Sequence, residues 1–145
     1  MNSNKKTARI LEDVKINVKI KLSALWVTVM LCYAFGDILA FMQPGAIEDF
    51  IIGKGAGGTP ITQVSLLGIA ILMAIPSVMV FLSLTLTPKV NRWANIIVAI
   101  VYFGVLVAAL FVGELSVAYT FSSIVEAVLI ALIVWYAWKW PKQEA

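Results

Sequence analysis

From Gly55 to Pro88 the chain runs 34 residues without an Asp, Glu, Lys or Arg. Crossing a hydrocarbon layer of about 30 Å takes roughly 20 apolar residues as a helix, so this stretch predicts a membrane span over about 64–86. Three further apolar runs of similar length, about 22–42, 93–112 and 121–138, complete a set of four. With 61% hydrophobic and 13% charged residues, and a mean hydropathy of +0.95, a water-soluble domain of this length is not expected. The predicted fold is therefore all-α, a bundle of four transmembrane helices. Residues 1–21 form a basic cytoplasmic or interfacial segment, 22–138 the membrane domain and 139–145 a cytoplasmic tail.

Composition also removes chemistries. The chain has one cysteine, Cys32, and no histidine, which excludes intramolecular disulfides, His-ligated haem and most transition-metal sites. No nucleophile stands with an obvious base, so no enzyme, cofactor or metal is expected. The formal charge of +3 sits beside the apolar runs rather than in a nucleic-acid-binding stripe, and no nucleic acid is expected as a partner.

The basic residues read as topology. Six of the eleven precede the first span, one (Lys54) falls in the first loop, two (Lys89 and Arg92) in the second, none in the third and two in the tail. Ten of eleven then share one side, and the positive-inside rule makes that side the cytoplasm, with both termini on it and the protein multi-pass in the cytoplasmic (inner) membrane. Trp26, Trp93, Trp135, Trp138 and Trp140 fall near the same helix ends, as an inner aromatic belt would. No small-residue cleavage site follows the first run, so the first span is expected to remain in the mature protein.

Local patterns refine this outline. Lys15, Lys19 and Lys21 alternate with apolar residues before the first span, a strand-like pattern that reads better as an interfacial helix or elbow with snorkelling lysines and Val14, Val18 and Leu22 toward lipid. After the first span, Pro44 can start and Gly53 can end a short interfacial helix carrying Ile47, Phe50 and Ile51 on one face. The stretch Gly53-Lys54-Gly55-Ala56-Gly57-Gly58-Thr59 lacks the order of a phosphate loop and reads as a flexible loop. Pro76 should kink the second span by removing the donor that Leu72's carbonyl would accept, a defect neighbouring helices can accommodate. Small residues at Gly36 and Ala40, Ala70 and Ala74, Gly104 and Ala108, and Ser123, Ala127 and Ala131 mark possible close approaches.

Two carboxylates interrupt the spans, Asp37 and Glu126, and an ionisable group at such depth is a functional candidate by default. Each lies about five residues inside its outer helix end, about 8 Å deep at roughly 1.5 Å per residue. No basic residue in any span can neutralise them, and as neighbours they would titrate as a coupled pair. Tyr33, Tyr102 and Ser123 fall at similar depth. Asp37, Glu126, Tyr33, Tyr102 and Ser123 are thus candidates to bind or move a proton, a cation or a small molecule in the outer half of the bundle. Two readings stay open: such a site, or a structural or accessory subunit in which the two acids only hydrogen-bond between helices while the bundle docks a second copy or a larger membrane partner. Glu114, in the outer connection, reads as a solvated charge and Cys32 as a small core filler.

Leu11-Glu12-Asp13, Lys21-Leu22-Ser23-Ala24-Leu25-Trp26 and Tyr33 with Gly36-Asp37 resemble the opening of a family of small four-span prokaryotic membrane proteins of unknown function. Met73-Ala74-Ile75-Pro76-Ser77, Asn91-Arg92-Trp93 and Val134-Trp135-Tyr136-Ala137-Trp138 extend the resemblance over most of the chain. It implies the four-span fold and no activity. Small multidrug exporters share four short spans and an acid in the first, but their motifs are missing here, so that likeness is one of architecture alone.

Overall fold

The computed structural model describes residues 15–111 and 116–141. Expectations for the basic segment before Lys15, for Glu114 and for the tail beyond Pro141 lie outside the described residues. Five α-helices follow in order: α1 (Val18–Phe41), α2 (Ala46–Ile51), α3 (Gln63–Thr85), α4 (Pro88–Ala109) and α5 (Val117–Trp138), with one 3-10 turn at Ala56–Gly58. Of these, α1, α3, α4 and α5 are long and apolar enough to cross a bilayer. Among the described residues the only strand-like pairing is an isolated bridge between Lys54 and Pro60.

Local chemistry sets most helix ends. The Asn17 side chain accepts from the Lys19 amide at 2.9 Å and opens α1, so the lysine-rich alternation around Lys19 and Lys21 is the first turn of the span helix itself, not a separate interfacial element. Thr62 and Ser65 form a reciprocal capping box at the start of α3, and Ser116 caps α5 by accepting from the Tyr119 amide. α4 begins at Pro88, five residues before Trp93, because proline at the first helical position gives up no hydrogen bond and has its φ preset. The loop expected there, Thr87 to Arg92, is thus helical from Pro88 on. Pro44, by contrast, does not start α2: Gly45 intervenes with φ 83°, a left-handed conformation that suits glycine, and helix begins at Ala46. Gly53, with φ 77°, turns the chain away after α2 as its position suggested. The glycine-rich stretch beyond it is closed on itself by Gly55 N–H to Thr59 C=O (2.7 Å) and Ile61 N–H to Gly53 C=O (2.8 Å), a compact loop rather than an open linker.

α1 packs closely along both α3 and α5, and α5 packs along α4, whereas α3 and α4 approach each other less closely despite their two-residue connection. Two ties show α1 and α5 to be antiparallel. The Gln43 amide donates to Ser116 Oγ at 3.1 Å at one end, and Lys21 Nζ lies 5.3 Å from the Tyr136 ring centroid at the other. The core is concentrated in the half of the bundle nearer Lys21, around Leu22, Trp26, Ile96, Ala99, Ile133 and Ala137. Outward faces are apolar: Phe35, Phe81, Phe121 and Trp138 are all more than half exposed, a surface that suits lipid and not water. Several small-residue pairs face outward too, and a Cβ on Gly104 would meet nothing within 4 Å, so Gly104 and Ala108 do not mark a contact within this bundle.

Pro76 sits buried inside a continuous α3. The Leu72 carbonyl, left without its intrahelical donor, accepts instead from the Tyr102 hydroxyl of α4, and one residue on Ser77 Oγ donates to the Met73 carbonyl at 2.9 Å. Trp26 is another departure from expectation. It is fully buried and donates from Nε1 to Asn95 Oδ1 at 2.7 Å, so it belongs to the core and not to an aromatic belt. Trp93, Trp135 and Trp138 do lie exposed at that end of the bundle.

Candidate functional site

The register of α1 against α5 decides what surrounds Glu126. Ten residues down α1 from Gln43 is Tyr33, and ten residues down α5 from Ser116 is Glu126, so the Gln43–Ser116 tie brings Tyr33 and Glu126 to one level. Glu126 is 6% exposed, on the inward stripe Ser123, Glu126, Ile130, Ile133 and Ala137 that spacings of three and four produce. Among the described residues it has no hydrogen-bond donor and no basic side chain in salt-bridge contact. The Tyr33 hydroxyl is buried without a partner and lies within the electrostatic reach of Glu126. Two polar groups therefore lie at one level in the half of the bundle nearer Gln43 and Ser116, neither with a hydrogen-bond partner among the described residues, and burial of such groups is costly unless something satisfies them. Ser123 is buried one turn nearer Ser116.

Asp37 is not inside with them. The buried stripe of α1 runs through Leu22, Trp26 and Val29 toward Tyr33 and Gly36, and Asp37 stands one residue, about 100° of helix rotation, past it. It is exposed, though its charge still acts on Glu126. Asp37 and Glu126 are thus electrostatic neighbours across the α1–α5 seam rather than a pair sharing an enclosed site. Tyr102 also differs from expectation: it is buried, but its hydroxyl is committed to Leu72, and its ring packs 6.3 Å from that of Tyr33 and 6.0 Å from that of Trp26. It forms the floor beneath Tyr33. Cys32 is partly exposed and does not fill the core.

Above this level a groove of ≈ 20 Å³ lies between α1 and α5, lined by Gly36, Ala40, Gln43, Ala118, Tyr119 and Ser122 among others. The absence of bulk at Gly36, Ala40 and Ala118 leaves this space, which is about enough for one water.

A second polar cluster escaped the sequence reading. Asn91, Asn95 and Ser83 are fully buried toward the Lys21 end. Asn95 Oδ1 accepts from both Trp26 and Ser83, Asn95 Nδ2 donates to Asn91 Oδ1 at 2.6 Å, and Asn91 Nδ2 donates to the Ser83 carbonyl at 2.6 Å. Ser23 donates to the Val80 carbonyl nearby. The signal available was two asparagines four apart in a span helix, hence on one face. Because these bonds close among themselves, the cluster joins α1, α3 and α4 and leaves no free group for a ligand.

Four long apolar helices with lipid-suited outer faces and a buried carboxyl between them make this a multi-pass membrane protein. The chain belongs to the family of unknown function DUF6326, which matches residues 9–145. No curated protein and no solved structure matches it.

Proposed function

We propose that the protein binds, and can pass on, a proton at Glu126, acting as a non-enzymatic multi-pass protein of the cytoplasmic membrane with both termini inside. The observation that carries this reading is the carboxyl of Glu126, a residue only 6% exposed and without a hydrogen-bond or ion-pair partner among the described residues, at the level of the buried, unpartnered Tyr33 hydroxyl. A protonated carboxyl can donate as well as accept, which an ionised one cannot. Of the ligands that an isolated acid can take, a proton asks for the fewest partners, and the groove between α1 and α5 one turn above, which Glu126 does not line, has room for about one water. Asp37, exposed at the α1–α5 seam, would gather protons from the outer interface toward Glu126.

The test compares Glu126→Gln, Asp37→Asn and the unaltered chain in proteoliposomes with an internal pH dye, and follows the carboxyl stretching band by infrared spectroscopy as pH is stepped. Glu126→Gln should remove the titrating band and any pH-driven proton flux while the helical content stays unchanged, and Asp37→Asn should slow uptake without abolishing it. A pH response identical in all three would reject the reading.

A second reading, that of an accessory subunit, is favoured by one observation: Asp37 is a carboxylate exposed on an otherwise apolar helix face, where a second copy or a larger membrane partner would cover it. Under that reading Asp37→Asn alters assembly size in mild detergent and leaves proton uptake untouched.

A further inference from the structure

Charge divides sharply along this bundle. The described acidic residues, Asp37, Glu48, Asp49 and Glu126, all belong to the outer half or its loop, while Lys15, Lys19, Lys21, Lys89, Arg92 and Lys139 gather at the opposite end. Three of those six cations already have a local role. Lys19 Nζ donates to the carbonyls of Leu84 and Leu86 at the end of α3, where a cation complements the helix dipole. Lys21 sits over Tyr136, and Lys139 lies 3.8 Å from the Trp135 centroid.

The start of α4 is different. Arg92 places its guanidinium carbon 5.2 Å from the Trp138 centroid and 6.0 Å from that of Trp93, its Nε is buried without a partner, and no described carboxylate pairs with it. Lys89 has no partner among the described residues either. Thr87 makes no side-chain cap bond and Pro88 has no N–H, so the amides of Lys89 and Val90 lack an intrahelical acceptor. Beside Lys89 an open, shallow groove of ≈ 460 Å³ lies along one face of α4, formed by Lys89, Val90, Trp93, Ala94 and Ile97. From Lys89 to Ile97 it descends about 12 Å along the helix, most of the roughly 15 Å half-thickness of a bilayer's hydrocarbon.

We infer that the start of α4 is a binding site for an anionic phospholipid, whose phosphate is held by Lys89, Arg92 and the first-turn amides while an acyl chain lies in the groove along Trp93, Ala94 and Ile97. Charge complementarity selects the headgroup, because Lys89, Arg92 and the open amides lie within the first turns of α4, where no described carboxylate pairs with them. The apolar walls select a lipid over a free anion. This site is independent of Glu126 and stands or falls separately from it.

Native mass spectrometry of the full chain in micelles, with phosphatidylglycerol and phosphatidylcholine of matched chains, provides the test. Phosphatidylglycerol should be retained about fivefold or more in preference, and Lys89→Gln should lower that preference about fivefold, in line with the contribution of one basic residue at a membrane surface. Ile97→Trp, at an exposed position, should block the groove's lower end and weaken both lipids. Lys54→Gln at the opposite end should change nothing. Equal retention of the two lipids, or an unaltered preference in Lys89→Gln, would overturn the proposal. So would displacement of the lipid by millimolar inorganic phosphate, which would make this an anion site in which the groove plays no part.

Discussion

Asn95 shows how much a single side chain can carry where no water is available. Its Oδ1 accepts from Trp26 and Ser83, and its Nδ2 donates to both the carbonyl and the side chain of Asn91. Asn95→Ala would strand several buried groups at once, and each unsatisfied group costs about 1–3 kcal/mol. Trp26→Phe removes one donor and leaves Asn95 Oδ1 with Ser83, a loss closer to the roughly 0.6 kcal/mol typical of interhelical bonds in membranes. Unfolding in mixed micelles should rank Asn95→Ala as clearly the more damaging, and the opposite order would mean that Trp26 acts mainly through its volume. Neither residue's role was legible beforehand. A span asparagine reveals by its polarity that it needs a partner, but which partner depends on the distance between helices. Glu126 was legible as a candidate because its charge type alone makes it costly in a span. Asp37 was legible for the same reason, yet its direction was not, since one residue of helical phase separates Gly36 in the seam from Asp37 outside it.

At the scale of elements, α3 and α4 are joined by a device readable only in half. Pro76 announces that the Leu72 carbonyl has lost its helical donor, but nothing local says that Tyr102 replaces it. A double-mutant cycle tests the pairing. Tyr102→Phe should destabilise the chain by about 1 kcal/mol when Pro76 is present and by much less with Pro76→Ala, where a restored amide can bond Leu72 itself. No coupling between the two substitutions would show that the hydroxyl contributes nothing to holding α3. Helix ends followed local rules where a cap was present, as at Thr62 with Ser65 and at Pro88. The start of α2 did not, because Gly45 takes a left-handed conformation between Pro44 and the helix.

For the whole molecule, the segregation of charge carries the orientation. With Lys15 to Lys21, Lys89, Arg92 and Lys139 at one end and Lys54 with the acidic loop residues at the other, the positive-inside rule predicts the first group on the cytoplasmic side, as the proposed topology has it. In a Cys32→Ala background, an impermeant maleimide applied to intact cells should label Lys54→Cys and leave Lys139→Cys unmodified until the membrane is permeabilised. Labelling of Lys139→Cys in intact cells would invert the assigned topology and move Glu126 to the cytoplasmic half.

By itself the sequence determined that four helices are long and apolar enough to span and that two acids interrupt them, because these follow from properties each residue carries along the chain: hydropathy and charge. The tertiary structure alone decided that Glu126 lies level with Tyr33 while Asp37 is exposed, that Tyr102 serves Leu72, and that Trp26 is held inside by Asn95. Those outcomes turn on helical phase and on the register of one helix against another. A rotation of 100° or a slide of one turn would change every partner while leaving composition and hydropathy as they are.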